Sequence, residues 1–418
     1  MQSDNPFNGG AVKQYPPVAP PSARHIAQLF LVPGLIVTVF LLGYLGWKRF
    51  SHSWYSPENF LKKLDNSNPD VRWRAAEDLA QVLLRDDELA ADGTFALQLS
   101  ERLRRAIDAN RPAEKEYAEK VTDSLKAKGP GKEPPPLGKE LESERNYIEY
   151  LIACLGSFAV PVGAPALCDV ATKSDGVESE AIAHRRVRAV WALANLGDNL
   201  QRFDRLTPQQ KEKALAGLQQ MASSSEHGEW ARAASRYVES RLAGAPDAMG
   251  VDEALAKCAK ESDPFLRLMV ALALSYWQGD AEENARMEQT LATLLHDDGH
   301  GSKDNSELVG LEIRSQAAVA LTRRGSSKIK LERIREMLDE KGQTELFGKR
   351  LKNDEKGQKE SLAFAAVSGM IKAVAELHRK DPKRDLSPLY PALRQLAESG
   401  NATLKTEAKQ TLIELGQG

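Results

Sequence analysis

Few residues of this chain have the type and spacing that chemistry requires. The densest set of ligand-type side chains is His296-Asp297-Asp298-Gly299-His300, two imidazoles and two carboxylates within one short run. A zinc or catalytic metal needs such groups converging from rigid positions, with outer hydrogen bonds that orient them. Here they fall where a helical pattern gives way to a glycine-rich stretch, and a histidine at a helix C-terminus is favoured by the helix dipole alone. A structural role is the expectation, and no metal or cofactor is expected. Gly138-Lys139 has the ending of a phosphate-binding loop, but Glu133 stands where its first glycine belongs and Glu140 where Ser or Thr would hold magnesium. Neither G-x-S-x-G nor H-E-x-x-H occurs. Cys154, Cys168 and Cys258 are too few and scattered for a disulfide framework, and their apolar helical settings read as core thiols. Trp73, Trp191 and Trp277 fall on helical patterns and are expected in the core. Asn401-Ala402-Thr403 fits a glycosylation sequon, a pattern short enough to arise by chance. No catalytic residue is expected, and the chain does not read as an enzyme.

What remains is charge. Phe95, Leu99, Leu103 and Ile107 stripe one helical face, and Gln98, Arg102 and Arg105 occupy the face opposite. Farther on, Lys328, Lys330, Arg333 and Arg335 decorate another short helix, followed by Lys349, Arg350 and Lys352. Residues 323–359 hold more basic than acidic groups, although Glu332, Glu336 and Asp339 dilute them. The plain reading is a solvated helix face. The functional reading is a basic patch for an acidic partner, with Arg102, Arg105, Lys330, Arg333, Arg335, Lys349 and Arg350 as the candidate contacts. Over the whole chain, 57 Lys and Arg nearly cancel 59 Asp and Glu. That balance lacks the basic excess of a nucleic-acid binder, so no nucleic acid is expected as partner.

The elements that must position these residues begin with an apolar run. Residues 1–25 are polar and proline-rich (Tyr15-Pro16-Pro17-Val18-Ala19-Pro20-Pro21) and read as a disordered tail. Ile26 to Trp47 carries no charge. As a helix it would reach roughly 33 Å, enough to cross a hydrocarbon core of about 30 Å. Tyr44 and Trp47 stand at its distal end, and Lys48 and Arg49 close it. A transmembrane helix over 26–47 is the expectation, followed by a juxtamembrane linker over 48–56. A signal peptide and a core helix are the alternatives; Gly46-Trp47-Lys48-Arg49 makes a poor cleavage site. Basic residues favour the C-terminal flank (Lys48, Arg49, Lys62, Lys63) over the N-terminal one (Lys13, Arg24), which leans toward a cytoplasmic body. The opposite orientation, with the body exported, stays open.

Residues 57–418 repeat one pattern. Asn68-Pro69-Asp70-Val71-Arg72-Trp73-Arg74-Ala75-Ala76-Glu77-Asp78-Leu79 aligns without gaps on Asp263-Pro264-Phe265-Leu266-Arg267-Leu268-Met269-Val270-Ala271-Leu272-Ala273-Leu274. A cap residue followed by Pro is a sound helix start. The aliphatic-Arg-x-x-Ala core returns at Ile313-Arg314 and, from the Arg onward, at Arg186; Leu404-Lys405 is a weaker copy and Trp230 to Tyr237 weaker still. Near Leu362 to Met370 the Arg is replaced by Ala363. Tyr150 to Phe158 reads as the end of another such helix. Second amphipathic helices lie between, among them one opening at Thr207-Pro208-Gln209-Gln210 with a capping box. The small residues allow close helix approach. Strand-like alternation is nearly absent.

On this motif the chain resembles the HEAT-repeat proteins, α-solenoids of stacked helix pairs, over residues 57–416. The resemblance implies an all-α solenoid of about seven or eight HEAT-like helix pairs and a protein-binding scaffold displayed on the membrane. It implies little about chemistry, because packing defines such folds. The alternatives are a self-associating structural envelope component and a HEAT-like enzyme such as a lyase or glycosylase. Irregular loops are expected near 129–138 and 298–306, with a charged insertion over 341–358. No later segment is expected to approach a membrane-spanning run. Full-length protein should pellet with membranes and resist alkaline carbonate; quantitative release by carbonate would remove the anchor.

Overall fold

The computed structural model describes residues 56–128, 134–173, 180–222, 249–302, 306–351 and 357–417, with residues 31, 33, 35–43, 232, 235 and 236. The chain divides into two units, Met1–Ser56 and Pro57–Gly418. In the first, residues 31, 33 and 35–43 are helical, with Leu31, Leu35, Val39, Phe40 and Leu42 exposed. The proline-rich tail, the ends of the 26–47 run and the 48–55 linker lie outside the described residues.

In the second unit every regular element among the described residues is helical. The elements run α1 (Pro57–Leu64), α2 (Pro69–Leu83), α3 (Asp87–Ala90), α4 (Gly93–Lys128), α5 (Lys139–Gly156), α6 (Ala164–Thr172), α7 (Glu180–Arg205) and α8 (Pro208–Ala222). They continue as α9 (Val251–Cys258), α10 (Pro264–Ala273), α11 (Ala281–Leu294), α12 (Ser306–Arg324), α13 (Leu331–Met337), α14 (Glu340–Gly348), α15 (Gln358–Lys380), α16 (Tyr390–Leu396) and α17 (Ala402–Glu414). The starts follow from local chemistry. Asn68, Asp263 and Asn401 each accept a backbone N–H of the first turn, and Pro69 and Pro264 follow at the first helical position. Thr207 and Gln210 exchange hydrogen bonds reciprocally ahead of α8.

Among the described residues, α2, α5, α7, α10, α12, α15 and α17 form one row, each packed on the next. A second layer covers it: α1 packs on α2, α4 on α5, α6 on α7, α9 on α10, α11 on α12, α14 on α15 and α16 on α17. One core runs through the unit, from Phe60 and Leu64 to Leu412 and Leu415. Small residues set the row spacing. A Cβ on Gly156 would lie 2.9 Å from the Ala192 Cα and carbonyl oxygen, so α5 and α7 touch backbone to backbone there.

The arginine of the repeated pattern supplies the polar half of the packing. Arg267 is fully buried and forks onto Asp297, with Nε 2.6 Å from one carboxylate oxygen and Nη2 3.1 Å from the other. It also donates to the carbonyls of Glu261 and His300 at 2.8 and 2.9 Å. Arg314 donates to the Asp297 carbonyl, Arg186 to the Ala171 carbonyl at 2.8 Å and to Glu261 at 3.0 Å, and Arg72 pairs with Glu144 on α5. Each of these arginines therefore ties its helix to a neighbouring element. Farther along α4, Glu114 is buried and held by Arg145 at 2.6 Å and Arg185 at 3.1 Å.

The helix that opens at Thr207, α8, packs on α4. Two expectations need correction. Residues 341–348 are not irregular, because they belong to α14, whose Gln343 and Phe347 are buried and which packs on α15; residues 352–356 lie outside the described residues. A later helix does have the length and apolarity to span a membrane. It is α15, with a mean hydropathy of 1.2 over its apolar window, but more than half of that window is buried. A mainly buried row helix meets the same criterion as a span, because both must be apolar on most sides.

Replacing Asp297 with Ala should cost about 3–5 kcal/mol in urea unfolding, since it leaves Arg267 buried without its partner. Gly156→Ala should cost about 1–3 kcal/mol by forcing two backbones apart. Asp298→Ala, at an exposed carboxylate, should stay within about 0.5 kcal/mol.

Candidate functional site

The seven basic candidates fall into two places. Arg102 and Arg105 lie on α4 and line an open cleft of about 900 Å3. Its walls are the turn after α1, the middle of α4 and the approach to α5, including Pro135 and Pro136. Arg102 is fixed there by a fork onto Asp65, at 3.0 and 2.6 Å, and by the Gln98 carbonyl. Arg105 is largely exposed and pairs with Glu101 one turn earlier. Tyr147, with its hydroxyl on the Leu64 carbonyl, is pushed up to about 12 by burial, while nearby Arg102 and Arg72 pull the other way. Arg72 sits 5.4 Å over that ring. Tyr117 donates to the Pro135 carbonyl and carries Arg145 at 5.0 Å over its face. The cleft thus combines four cations (Arg72, Arg102, Arg105, Lys120) with four carboxylates (Asp65, Glu116, Glu140, Glu144).

The second place gathers around α13 and α14. Lys330 caps α13, Arg333 and Arg335 lie on it, and Lys349 and Arg350 follow α14. The structure adds a residue that the charge pattern did not single out. Arg314, from row helix α12, stands close enough to Arg350 and Arg333 to be repelled by both. Burial first, and those two cations next, hold its guanidinium below its ordinary range, against the pull of Asp297 and Asp298. Arg333 is balanced by Glu336 at 2.9 Å, and Arg350 donates to the Leu346 carbonyl. Arg335 and Lys349 are exposed. Lys352 lies outside the described residues. Sequence spacing cannot reveal the trio, because its members come from α12, α13 and the turn after α14.

Asp297, Asp298 and His300 bring ligand-type atoms within 4.8 Å of one another, without His296. Their bonds are already committed to the turn. Asp297 receives Arg267 and the Gly299 N–H, and Asp298 accepts the His300 N–H at 3.0 Å, which holds its carboxyl below the usual range. Gly299 has φ +76, and a Cβ there would meet the Ser306 carbonyl at 1.8 Å, so the turn is pressed onto α12. The donor set serves the Arg267 fork better than an ion.

The cysteines lie as expected in apolar packing. Burial pushes all three thiols up, Cys258 to about 11, and Cys154 donates weakly to the Ala76 carbonyl. The tryptophans divide. Trp277 is fully buried with its indole N–H on the Leu193 carbonyl at 2.7 Å. Trp191 is 40% exposed with Arg188 over its ring, and half-buried Trp73 stacks on Tyr150 at 6.1 Å. Helical spacing alone does not distinguish the inner face of the row from its outer one.

No protein-family model matches the chain, and no curated protein matches it. Among solved structures it is similar to a crystal structure described as an engineered protein from the Northeast Structural Genomics Consortium. That match has 14% identity and covers 87% of this chain and 99% of the other, with a TM-score of 0.17. A likeness of that size assigns neither family nor activity.

Added zinc should leave the melting temperature of the chain unchanged, and Asp298→Ala with His300→Ala should alter stability by no more than about 0.5 kcal/mol. A zinc-dependent rise in melting temperature that vanishes in that double variant would establish a metal site.

Proposed function

We propose that this chain is a membrane-anchored, HEAT-like helical scaffold that binds other proteins, with the cleft beside α4 as the docking place for a partner segment. The observation that carries this reading is the cleft itself. Its volume lies near the upper end of the range for ligand pockets, and it is partly open to solvent. Its described lining has no His, Cys, Ser or Thr. Its charges are mixed and several are already paired, which suits selection by charge pattern better than capture of any polyanion. In such a scaffold the row holds the second-layer helices at fixed spacing, and those helices present the binding surface. The segment 26–47 would hold the scaffold at a membrane, with the body on the cytoplasmic side favoured by the flanking basic residues.

A second contact is favoured by the trio Arg314, Arg333 and Arg350. An anionic partner would lower the mutual repulsion of these cations, which come from α12, α13 and the turn after α14. An acidic segment would do so, in a salt-sensitive way, because screening shortens the reach of charge to about 8 Å at physiological ionic strength. Self-association and a HEAT-like enzyme remain the rival readings.

The test is cross-linking and recovery of partners from native membranes with full-length protein. Arg105→Glu with Glu140→Lys inverts cleft charges at the surface and should abolish recovery of cleft-dependent partners. Arg333→Glu with Arg335→Glu should remove only partners lost at high salt. Recovery unchanged by both pairs, or recovery of the chain alone, would contradict the scaffold reading in favour of self-association.

A further inference from the structure

A small groove of about 140 Å3 runs between the row helices α5 and α7, apart from the cleft. Each helix gives it a stripe at i, i+3, i+4 and i+7, from Asn146 to Ala153 on α5 and from Arg188 to Asn195 on α7. The two helices run parallel, because Glu149 pairs with His184 at 3.1 Å and, two turns later, Gly156 meets the Ala192 backbone. That register staggers the stripes. Asn146 stands at one end of the groove and Asn195 at the other, with Tyr150 and Trp191 between them. At a rise of 1.5 Å per residue the two amides lie roughly 20 Å apart along the axis. Tyr150 is held in place by Glu77 at 3.0 Å and by the Trp73 ring. Trp191 remains 40% exposed. Among the described residues neither Asn146 nor Asn195 has a side-chain hydrogen bond, although both are half-buried. The cation and the carboxylate of the lining, Arg188 and Glu149, leave the groove nearly neutral.

We propose that this groove docks a proline-rich segment of a partner protein in the polyproline II conformation. Peptides dock on proteins in a few ways, and the groove fits one of them. Strand addition needs a sheet edge, and every regular element among the described residues is helical. A helix, about 10 Å across, needs a wider trough than one between helices whose backbones touch. Recognition of phosphorylated or acidic motifs needs a cluster of arginines, and this lining has one. A polyproline II segment packs its rings on aromatic faces, and its carbonyls have no internal partner. Tyr150 and Trp191 supply the faces, and the free amides of Asn146 and Asn195 supply donors for carbonyls at either end. At about 3.1 Å per residue, six or seven residues reach from one amide to the other. None of the groove residues lines the cleft, so this site stands whether or not the cleft holds a partner.

Calorimetric titration of the full-length chain in detergent with decaproline tests the assignment, with a glycine-serine decapeptide and a helical peptide of repeated Glu-Ala-Ala-Ala-Lys as comparisons. Saturable binding of decaproline alone is expected. Trp191→Ala should weaken it about tenfold, and Trp191→Phe, which keeps a ring, should retain most of it. Asn195→Ala should weaken it about fivefold, the scale of one hydrogen bond. Neither side chain is fully buried, so the helical circular dichroism of these variants should match that of the wild type. Arg333→Gln should leave binding unchanged. Absence of saturable heat with decaproline, or equal binding by wild type, Trp191→Ala and Asn195→Ala, would overturn the assignment. Tighter binding of the helical peptide would overturn it in favour of a docked helix, and equal binding of the glycine-serine peptide would show that proline is not read.

Discussion

The buried fork between Arg267 and Asp297 shows the constraint under which the whole unit is built. A row of helices joined by apolar side chains alone would slide, because dispersion and burial are nearly indifferent to register. A guanidinium that bonds a carboxylate and two carbonyls at once is not indifferent, since its donors have fixed directions. Arg267 fastens α10 to the turn after α11, and Arg314 fastens α12 to the same turn through the Asp297 carbonyl. Arg186 and Arg72 make comparable ties elsewhere. A buried pair of this kind adds little net stability over an apolar substitute, so its contribution is to specify register.

Much of this was legible in the sequence. The cap-then-proline starts at Asn68 and Asp263 place their helices within a residue, because the signal and the cause are the same local hydrogen bond. The reading of the arginine stopped halfway. Its periodic recurrence was visible, but its partners lie about 30 residues away at Asp297 and about 75 away at Glu261. No local pattern announces contacts of that range. The same limit explains the metal-like run at 296–300, whose acidic residue turned out to serve a distant arginine. It also explains α14, where a charged composition concealed the two buried residues that hold it to α15.

The candidate sites divide along similar lines. Arg102 and Arg105 were found from a helical stripe, and the structure puts both on the wall of the large cleft. Arg333 and Arg350 stand out by charge density, whereas their neighbour Arg314 shows in the sequence only as the arginine of the repeated motif. Surface chemistry in a stacked array comes from juxtaposing units, so it emerges only once their order in space is known.

The central claim is that the arginine fork couples neighbouring helices rather than merely filling space. A double-mutant cycle of Arg267→Met and Asp297→Leu in urea unfolding measures that coupling directly. Each single variant should be strongly destabilised, and the double variant should recover much of the loss, because no charge is then left buried alone. The interaction energy should be about 1–3 kcal/mol, the scale for residues within one hydrogen-bond network. Losses that simply add in the double variant would show that the two side chains act independently and would contradict the account.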